Sequence, residues 1–138
     1  MTYGRRQKNL ILIVAREFAS LLATPVLISD AGGRLVYFNE PAERVLGTSY
    51  AEAGELAADS WSTLFQVTGL DGRAVPLEEM PAGVAFVERR PAQGGLSITG
   101  LDGVRRAIAV TAFPLFAHAD EFVGIVAIFW EAPDAEAT

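Results

Sequence analysis

Few residues of this chain have the type and spacing that catalysis or metal binding requires. The chain has 138 residues, one histidine and no cysteine. His118 has no partner in the sequence with which to form a metal site or a nucleophile–base pair, and is expected to be exposed in a loop. The lack of cysteine excludes disulfides, thiolate metal sites, iron–sulfur clusters and thioether-linked chromophores. We therefore predict no metal site and no catalytic residue.

The acidic pairs and the glycine pair also lack the arrangement that catalysis needs. Glu78-Glu79 and Asp120-Glu121 are adjacent in sequence and are expected to be solvated. Ala31-Gly32-Gly33 lies between two predicted strands and not ahead of a helix, so it does not resemble a phosphate loop. A small cone-shaped α+β enzyme stays the weaker alternative, because it would need a buried carboxylate facing a cavity.

The composition is that of one globular domain. Hydrophobic residues make up 51% and charged residues 20% of the chain, which is too apolar for a disordered chain. The net charge of −6 argues against nucleic acid or an anionic membrane as a direct partner. The apolar run Leu10 to Val14 is too short to span a membrane and follows no signal-peptide pattern, so we expect a cytoplasmic protein.

The stretch from Val104 to Trp130 predicts a long β-hairpin. Two runs rich in Val, Ile and Phe are joined by five small or polar residues. Both faces of each strand are apolar, so both must be covered by other elements. One face of the first strand holds Ile108, Val110 and Ala112. In the second strand, the side chains predicted to point to the other side of the sheet are those of Val123, Ile125, Ala127 and Phe129.

The rest of the chain supplies three more strands and several helices. Leu10 to Leu22 has a helical period, so residues 1–23 are interpreted as an N-terminal amphipathic helix. Strands are predicted at Pro25 to Asp30, Leu35 to Phe38 and Gly94 to Gly100, and helices after Asn39, between Tyr50 and Phe65, and from Leu77 to Arg90. This order favours an α+β domain over residues 24–131 with a five-stranded antiparallel sheet. Residues 132–138 are predicted to be a disordered tail.

Three stretches resemble the PAS family of sensor domains. ATPVLISDAGGRLVYFNEPAERVLG is similar to its opening strand, turn, strand, Asn cap and short helix. PLEEMPAGVAFVERRP, after an Asp-Gly turn, is similar to the helix that walls the PAS ligand pocket. VTAFPLF and FVGIVAIFW are similar to its last two strands. The chain departs from many bacterial members at Glu131-Ala132-Pro133, where those have Asp-x-Thr leading into a signalling helix.

The resemblance implies a bacterial signalling module that senses a ligand in a pocket. Covalent flavin chemistry is excluded by the lack of cysteine, and haem is not expected because His118 is the only histidine. Arg105 and Arg106 are expected at the exposed end of their strand, away from any dicarboxylate site. If a cavity exists, the expected ligand is a non-covalent apolar guest such as a fatty acid or a hydrophobic ring system. The candidate pocket residues are Phe65, Met80, Val84, Ile108, Val110, Ala112, Gly124, Val126 and Ile128.

The resemblance also implies a homodimer that regulates an unknown protein partner. The N-terminal helix is expected to cover the second face of the sheet, within its own chain or across the dimer. The candidate interface residues are Leu10, Ile13, Val14, Phe18, Leu21, Ile125 and Phe129. Packed interiors have few voids, so a ligand-free interaction or dimerisation module with a solid core remains the alternative. The ligand, the partner, the signal, and whether the chain is a whole protein or an excised domain are left open.

Overall fold

A computed structural model describes residues 2–118 and 120–132, without the side chains of residues 2–9, 58 and 59. The predicted disordered tail therefore lies outside the described residues, apart from residue 132. The elements in chain order are α1 (Thr2–Ser20), β1 (Val26–Asp30), β2 (Leu35–Phe38), α2 (Glu40–Leu46), α3 (Tyr50–Ala53), α4 (Ala58–Leu64), a 3-10 turn (Leu77–Glu79), α5 (Pro81–Glu88), β3 (Ala92–Thr99), β4 (Arg105–Phe116) and β5 (Phe122–Glu131).

The five strands form one antiparallel sheet in the order β2-β1-β5-β4-β3. The long hairpin of β4 and β5 is its centre, since β5 pairs with β1 on one side and β4 pairs with β3 on the other. The predicted α+β fold with a five-stranded antiparallel sheet is confirmed. Among the described residues, no helix is both long and apolar enough to cross a membrane.

The short helices cover one face of the sheet, which we call the inner face. Pro41 lies in the first turn of α2, and Gly47 ends that helix with φ of 74°, a backbone conformation that glycine adopts at little cost. Pro81 begins α5, where its missing N–H costs no helical hydrogen bond. The inner core joins these helices to the sheet through Ala42, Val45, Leu46, Phe65, Met80, Ala82, Ala85, Leu96, Ile98, Ile108, Val110, Ala112, Ile125, Ala127 and Phe129.

Helix α1 covers the opposite, outer face of the sheet. Ala19 is 2% exposed and packs with Val26, Ile28 and Val126 in a second core cluster. Leu12 and Ala15 of α1, together with Leu22 just after the helix, are partly buried and complete this contact. The chain therefore has three layers, with α1 and the short helices on opposite sides of one sheet.

The prediction for the two faces of β5 was wrong. Ile125 and Phe129, predicted at a dimer interface, belong to the inner core and are 4% and 2% exposed. Val126 and Ile128, predicted in the pocket, pack in the outer cluster with α1. Strand side chains alternate between faces, so one residue of offset in the hairpin register reverses every assignment. The faces of β4 were predicted correctly, since Ile108, Val110 and Ala112 lie in the inner core.

The apolar stripe predicted for α1 is not the side that packs on the sheet. The exposed fractions of the large residues in this stripe are 57% for Leu10, 54% for Ile13, 55% for Val14, 65% for Phe18 and 83% for Leu21, which directly follows the helix. The helix begins at Thr2, so it also includes residues 2–9, which precede the periodic stretch that starts at Leu10. Helix α1 is therefore apolar on two sides, one facing its own sheet and one facing outward.

Candidate functional site

The inner core contains a small void lined by apolar side chains. Its volume is about 50 Å³. Four of the predicted pocket residues line it, namely Phe65, Met80, Ile108 and Val110. A space of this size and polarity does not hold a ligand of ring size, because even an engineered cavity that binds benzene measures about 150 Å³.

A larger, half-open cleft lies beside this void, where α5 and the 3-10 turn approach β1, β2 and β5. Its volume is about 240 Å³. Leu27, Leu35, Trp61 and Ala82 line both spaces, so the two are neighbours in the same layer of the molecule. Ser29, Glu78, Phe86 and Ile125 are among the residues that line the cleft alone.

The walls of the cleft are apolar with two polar exceptions. Ser29 is 4% exposed and lies at a bulge of β1, opposite Ile125 of β5. The Ser29 hydroxyl donates a long hydrogen bond of 3.4 Å to the carbonyl oxygen of Asp30. Glu78 is exposed at the opposite wall, on the 3-10 turn. The cleft therefore combines a large apolar surface with one buried hydroxyl and one carboxylate open to solvent.

The β1–β2 turn that borders the cleft is held in place by Asp30. The Asp30 carboxylate accepts hydrogen bonds from the backbone N–H groups of Gly32 and Arg34, at 2.9 and 3.0 Å. Gly33 has φ of 83°, which a residue without a side chain adopts most easily. Gly32 and Gly33 both line the cleft, so this wall is formed by an ordered turn.

The remaining candidate pocket residues lie away from both cavities. Val84 is half-buried on α5, and Ala112 is fully buried in the inner core, but neither lines a cavity. Gly124 is buried where β5 passes β1, and a side chain there would meet the carbonyl of Ser29. Gly124 therefore permits the close approach of two strands and does not open a pocket.

Sequence reasoning missed Ser29 and Ile125 as cleft residues and Trp61 as one of the residues shared by both cavities. Ser29 was recoverable in principle, because it is the one polar residue in the apolar run of β1 that lies on the inner face. Trp61 lay in a stretch whose pattern predicted only short helices with an inward aromatic. Ile125 was assigned to the wrong face with the rest of β5.

The arginines at the start of β4 are engaged in structural contacts. Arg106 donates hydrogen bonds to the carbonyl of Val45 at 3.0 Å and to Asp102 at 3.3 Å, and its Nε lies 2.7 Å from Glu131. Arg105 donates to the hydroxyl of Ser97 at 2.7 Å. Arg105 is exposed, as expected, whereas Arg106 is half-buried. Neither arginine lines a cavity.

Two titratable groups near the ends of the sheet have shifted pKa values. Hydrogen bonds from the backbone N–H of Val104 and from the Arg106 guanidinium hold the pKa of Asp102 below its ordinary value. Burial raises the pKa of the Tyr50 hydroxyl, and the nearby Glu55 carboxylate adds to this, while the Arg16 guanidinium partly offsets it. Neither Tyr50 nor Asp102 lines the cleft.

An aromatic cluster holds the far end of α5 against β5. The rings of Phe86 and Phe122 meet edge to face with centroids 5.5 Å apart. The guanidinium carbon of Arg89 lies 3.5 Å from the centroid of Phe122, a cation–π distance. Because Phe86 also lines the cleft, this cluster fixes the position of one cleft wall.

No constellation for metal binding appears in the described part of the chain. Among residues 2–118 and 120–132, no group of three His, Asp or Glu side chains is placed to hold a metal ion. His118 is exposed in the loop between β4 and β5.

Comparison with solved structures shows that the chain has the fold of PAS domains. The PAS domain of BvgS from Bordetella pertussis is 16% identical, with a TM-score of 0.58 over 88% of this chain and 84% of that one. The PAS domain of nitrogen regulation protein NR(II) from Vibrio parahaemolyticus is also 16% identical, with a TM-score of 0.60 over 86% and 98%. The LOV protein of Rhodobacter sphaeroides is 14% identical, with a TM-score of 0.67 over 88% and 67%.

These likenesses confirm the PAS fold expected from the sequence. The identities are low, so they show the shared fold and not a shared ligand. No protein-family model matches the chain. No curated protein matches it either.

Proposed function

We propose that this chain, which has the PAS fold of sensory and signalling modules, works as a homodimer that regulates a protein partner. In this proposal a small molecule in the cleft changes the packing of the sheet and of α1. The partner responds to that change. The observation that carries the proposal is the outward-facing stripe of α1.

The outward stripe of α1 is too large and too apolar for an ordinary surface. Its five large residues, Leu10, Ile13, Val14, Phe18 and Leu21, are between 54% and 83% exposed. Clustered exposed apolar side chains on one side of a helix mark an interaction site. A second copy of the chain brings an identical stripe, and a two-fold interface is the usual way in which such a surface covers itself.

The strands supply a direct route between the cleft and α1. Ile125 lines the cleft, and its neighbour Val126 packs on the other face in the cluster that holds Ala19 of α1. On β1, Ser29 likewise lines the cleft, and its neighbour Ile28 packs on the other face in the cluster that holds Ala19. A ligand that shifts β1 or β5 therefore acts on α1 through adjacent residues of one strand, provided that it binds the two packings with different affinity.

A ligand-free interaction module is the second candidate. The void in the inner core is only about 50 Å³, and five of the predicted pocket residues pack in that core, namely Phe65, Met80, Ile108, Val110 and Ala112. In this alternative the dimer and its surface carry the function, and the cleft stays empty. Both candidates require the same α1 surface and differ only in the role of the cleft.

Light scattering after size exclusion tests the dimer with two matched variants. Leu10→Glu puts a charge on the outward stripe of α1, where Leu10 is 57% exposed. Leu101→Glu makes the same change at a leucine that is 49% exposed in the β3–β4 turn. We expect a dimer for the wild type and for Leu101→Glu at tens of micromolar, and a monomer for Leu10→Glu. A wild-type monomer contradicts the proposal.

A further inference from the structure

We infer that the cleft binds a small, neutral, fused-ring compound that carries one hydrogen-bonding group, held by the hydroxyl of Ser29. This inference rests on the proposed function, in that it names the kind of ligand the proposed sensor would take. It narrows the sequence-based expectation of an apolar guest, either a fatty acyl chain or a hydrophobic ring system, to the ring system. Four observations support it: the cleft's size, its walls, its buried hydroxyl and the charge at its mouth.

The size of the cleft limits the ligand to about two fused rings. Its volume is about 240 Å³. A closed apolar cavity of about 150 Å³ accommodates benzene, and pockets for drug-sized ligands have about 300–1,000 Å³. A two-ring compound fits between these limits, whereas a flavin nucleotide or a long acyl chain would leave much of its surface outside.

The walls are suited to a flat apolar body. Trp61 and Phe86 contribute aromatic rings, and Leu27, Leu35 and Ile125 contribute aliphatic surface. Aromatic side chains favour ring partners in stacked or edge-to-face contact. Phe86 is fixed by its edge-to-face contact with Phe122, so this wall is formed before a ligand arrives.

The buried hydroxyl of Ser29 provides the polar contact. Ser29 is 4% exposed, and in the described part of the chain its only side-chain hydrogen bond is the one to Asp30 at 3.4 Å. Hydroxyl hydrogen bonds are usually shorter, at about 2.5–3.0 Å, so this bond is weak. A buried hydroxyl is stabilised when it forms a shorter hydrogen bond, and a ligand hydroxyl or ring N–H can form one with Ser29.

The charge at the mouth of the cleft disfavours anions. Glu78 lines the cleft, and none of the described lining residues is Lys, Arg or His. A ligand carboxylate would lose hydration on entering and would meet a like charge, with no cation to compensate. The cleft should therefore reject fatty acids and aromatic acids and accept a neutral ring of the same shape.

Three probes separate these possibilities in a heteronuclear NMR titration of the wild-type chain. They are β-naphthol, its carboxylate counterpart β-naphthoate, and dodecanoate. We expect β-naphthol to shift the backbone amide signals of Ser29, Gly32, Gly33 and Ile125, with a dissociation constant below about 1 mM. We expect β-naphthoate and dodecanoate to bind at least about tenfold more weakly. Equal or tighter binding of either acid, or no binding of β-naphthol, overturns the inference.

Two variants test the assigned contact. Ser29→Ala should weaken β-naphthol about three- to tenfold and leave β-methylnaphthalene, which has no hydroxyl, unchanged. Ser60→Ala, at an exposed serine of α4 outside the cleft, is the matched control and should change neither affinity. Equal losses for both compounds in Ser29→Ala would mean that Ser29 shapes the cleft without bonding the ligand, which contradicts the inference.

Light scattering of the same samples separates this inference from the proposed function. A dimer that does not bind β-naphthol overturns the ligand class and leaves the dimeric module standing. A monomer that binds β-naphthol at the cleft supports the ligand class and contradicts the homodimer.

Discussion

The side chain of Asn39 donates a hydrogen bond from Nδ2 to the carbonyl oxygen of Ala19, 2.9 Å away. Ala19 lies at the end of α1, whereas Asn39 precedes α2 on the other side of the sheet strands. The same Nδ2 donates to the carbonyl of Thr24 at 2.9 Å. The Oδ1 atom accepts from Val26 at 2.9 Å and from Ala42 at 3.2 Å. One buried amide thus joins α1, β1 and α2.

Replacing Asn39 should therefore weaken the attachment of α1. Asn39 is 1% exposed, and Asn39→Ala leaves two carbonyl groups and two N–H groups without these partners. We expect a loss of about 2–4 kcal/mol in the free energy of unfolding. Urea denaturation measures it. The exposed amide of Gln93 offers the control, and Gln93→Ala should change stability by less than about 0.5 kcal/mol.

Asn39→Asp should loosen α1 selectively. A carboxylate keeps the acceptor for Val26 and Ala42 but cannot donate to Ala19 and Thr24. Hydrogen exchange should then speed up more in α1 than in β4 or β5, because the pairing of β4 with β5 does not depend on α1. Uniformly faster exchange throughout the sheet would mean that Asn39 supports the whole fold and not this attachment.

Gly83 should tolerate no side chain. A Cβ atom at this position would meet the carbonyl of Leu77, because α5 passes directly over the 3-10 turn. Gly83→Ala must push these two walls of the cleft apart, and we expect it to destabilise the fold by about 1–3 kcal/mol. Thermal unfolding measures the change. At Gly94 a Cβ would lie 3.5 Å from Pro81, an ordinary contact, so Gly94→Ala should be neutral or stabilising. Similar losses in both variants would contradict this account.

Asp102 should make stability depend on pH in the acid range. Its pKa is lowered in the folded chain by Val104 and Arg106, so the unfolded chain takes up the proton first as the pH falls. The contribution is fully present above the unfolded pKa and is lost as the pH drops through the folded pKa. Asp102→Asn should destabilise the chain at neutral pH, and the difference from wild type should shrink in acid. A difference that is constant from neutral to acid pH would argue against an ionic origin.

The sequence predicted the strands well because turns and apolar runs bound them clearly. It predicted the inward face of β4 but not that of β5, because Ile125, Val126, Ala127 and Ile128 are all apolar and alternation carries no information there. The register shift between Leu115 and Phe116 changes the phase of the hairpin, and such a shift leaves no signature in composition.

The candidate sites were harder to predict than the fold. Helix α1 is apolar on both sides, and the side on its own sheet uses the small residues Ala15 and Ala19, which allow close approach. The more hydrophobic stripe faces outward, so hydrophobicity alone selects the wrong side. The cleft depends on how far α5 stands from β1 and β5, a distance between elements that are remote in sequence.

Native mass spectrometry of the protein as purified tests the central claim most directly, since it reports subunit number and any retained small molecule together. We predict a dimer for the wild type and a monomer for Leu10→Glu, with an unchanged circular dichroism spectrum in both. A wild-type monomer across the micromolar range, or a Leu10→Glu dimer as stable as the wild type, would contradict the claim that the outward stripe of α1 is the working surface of this module.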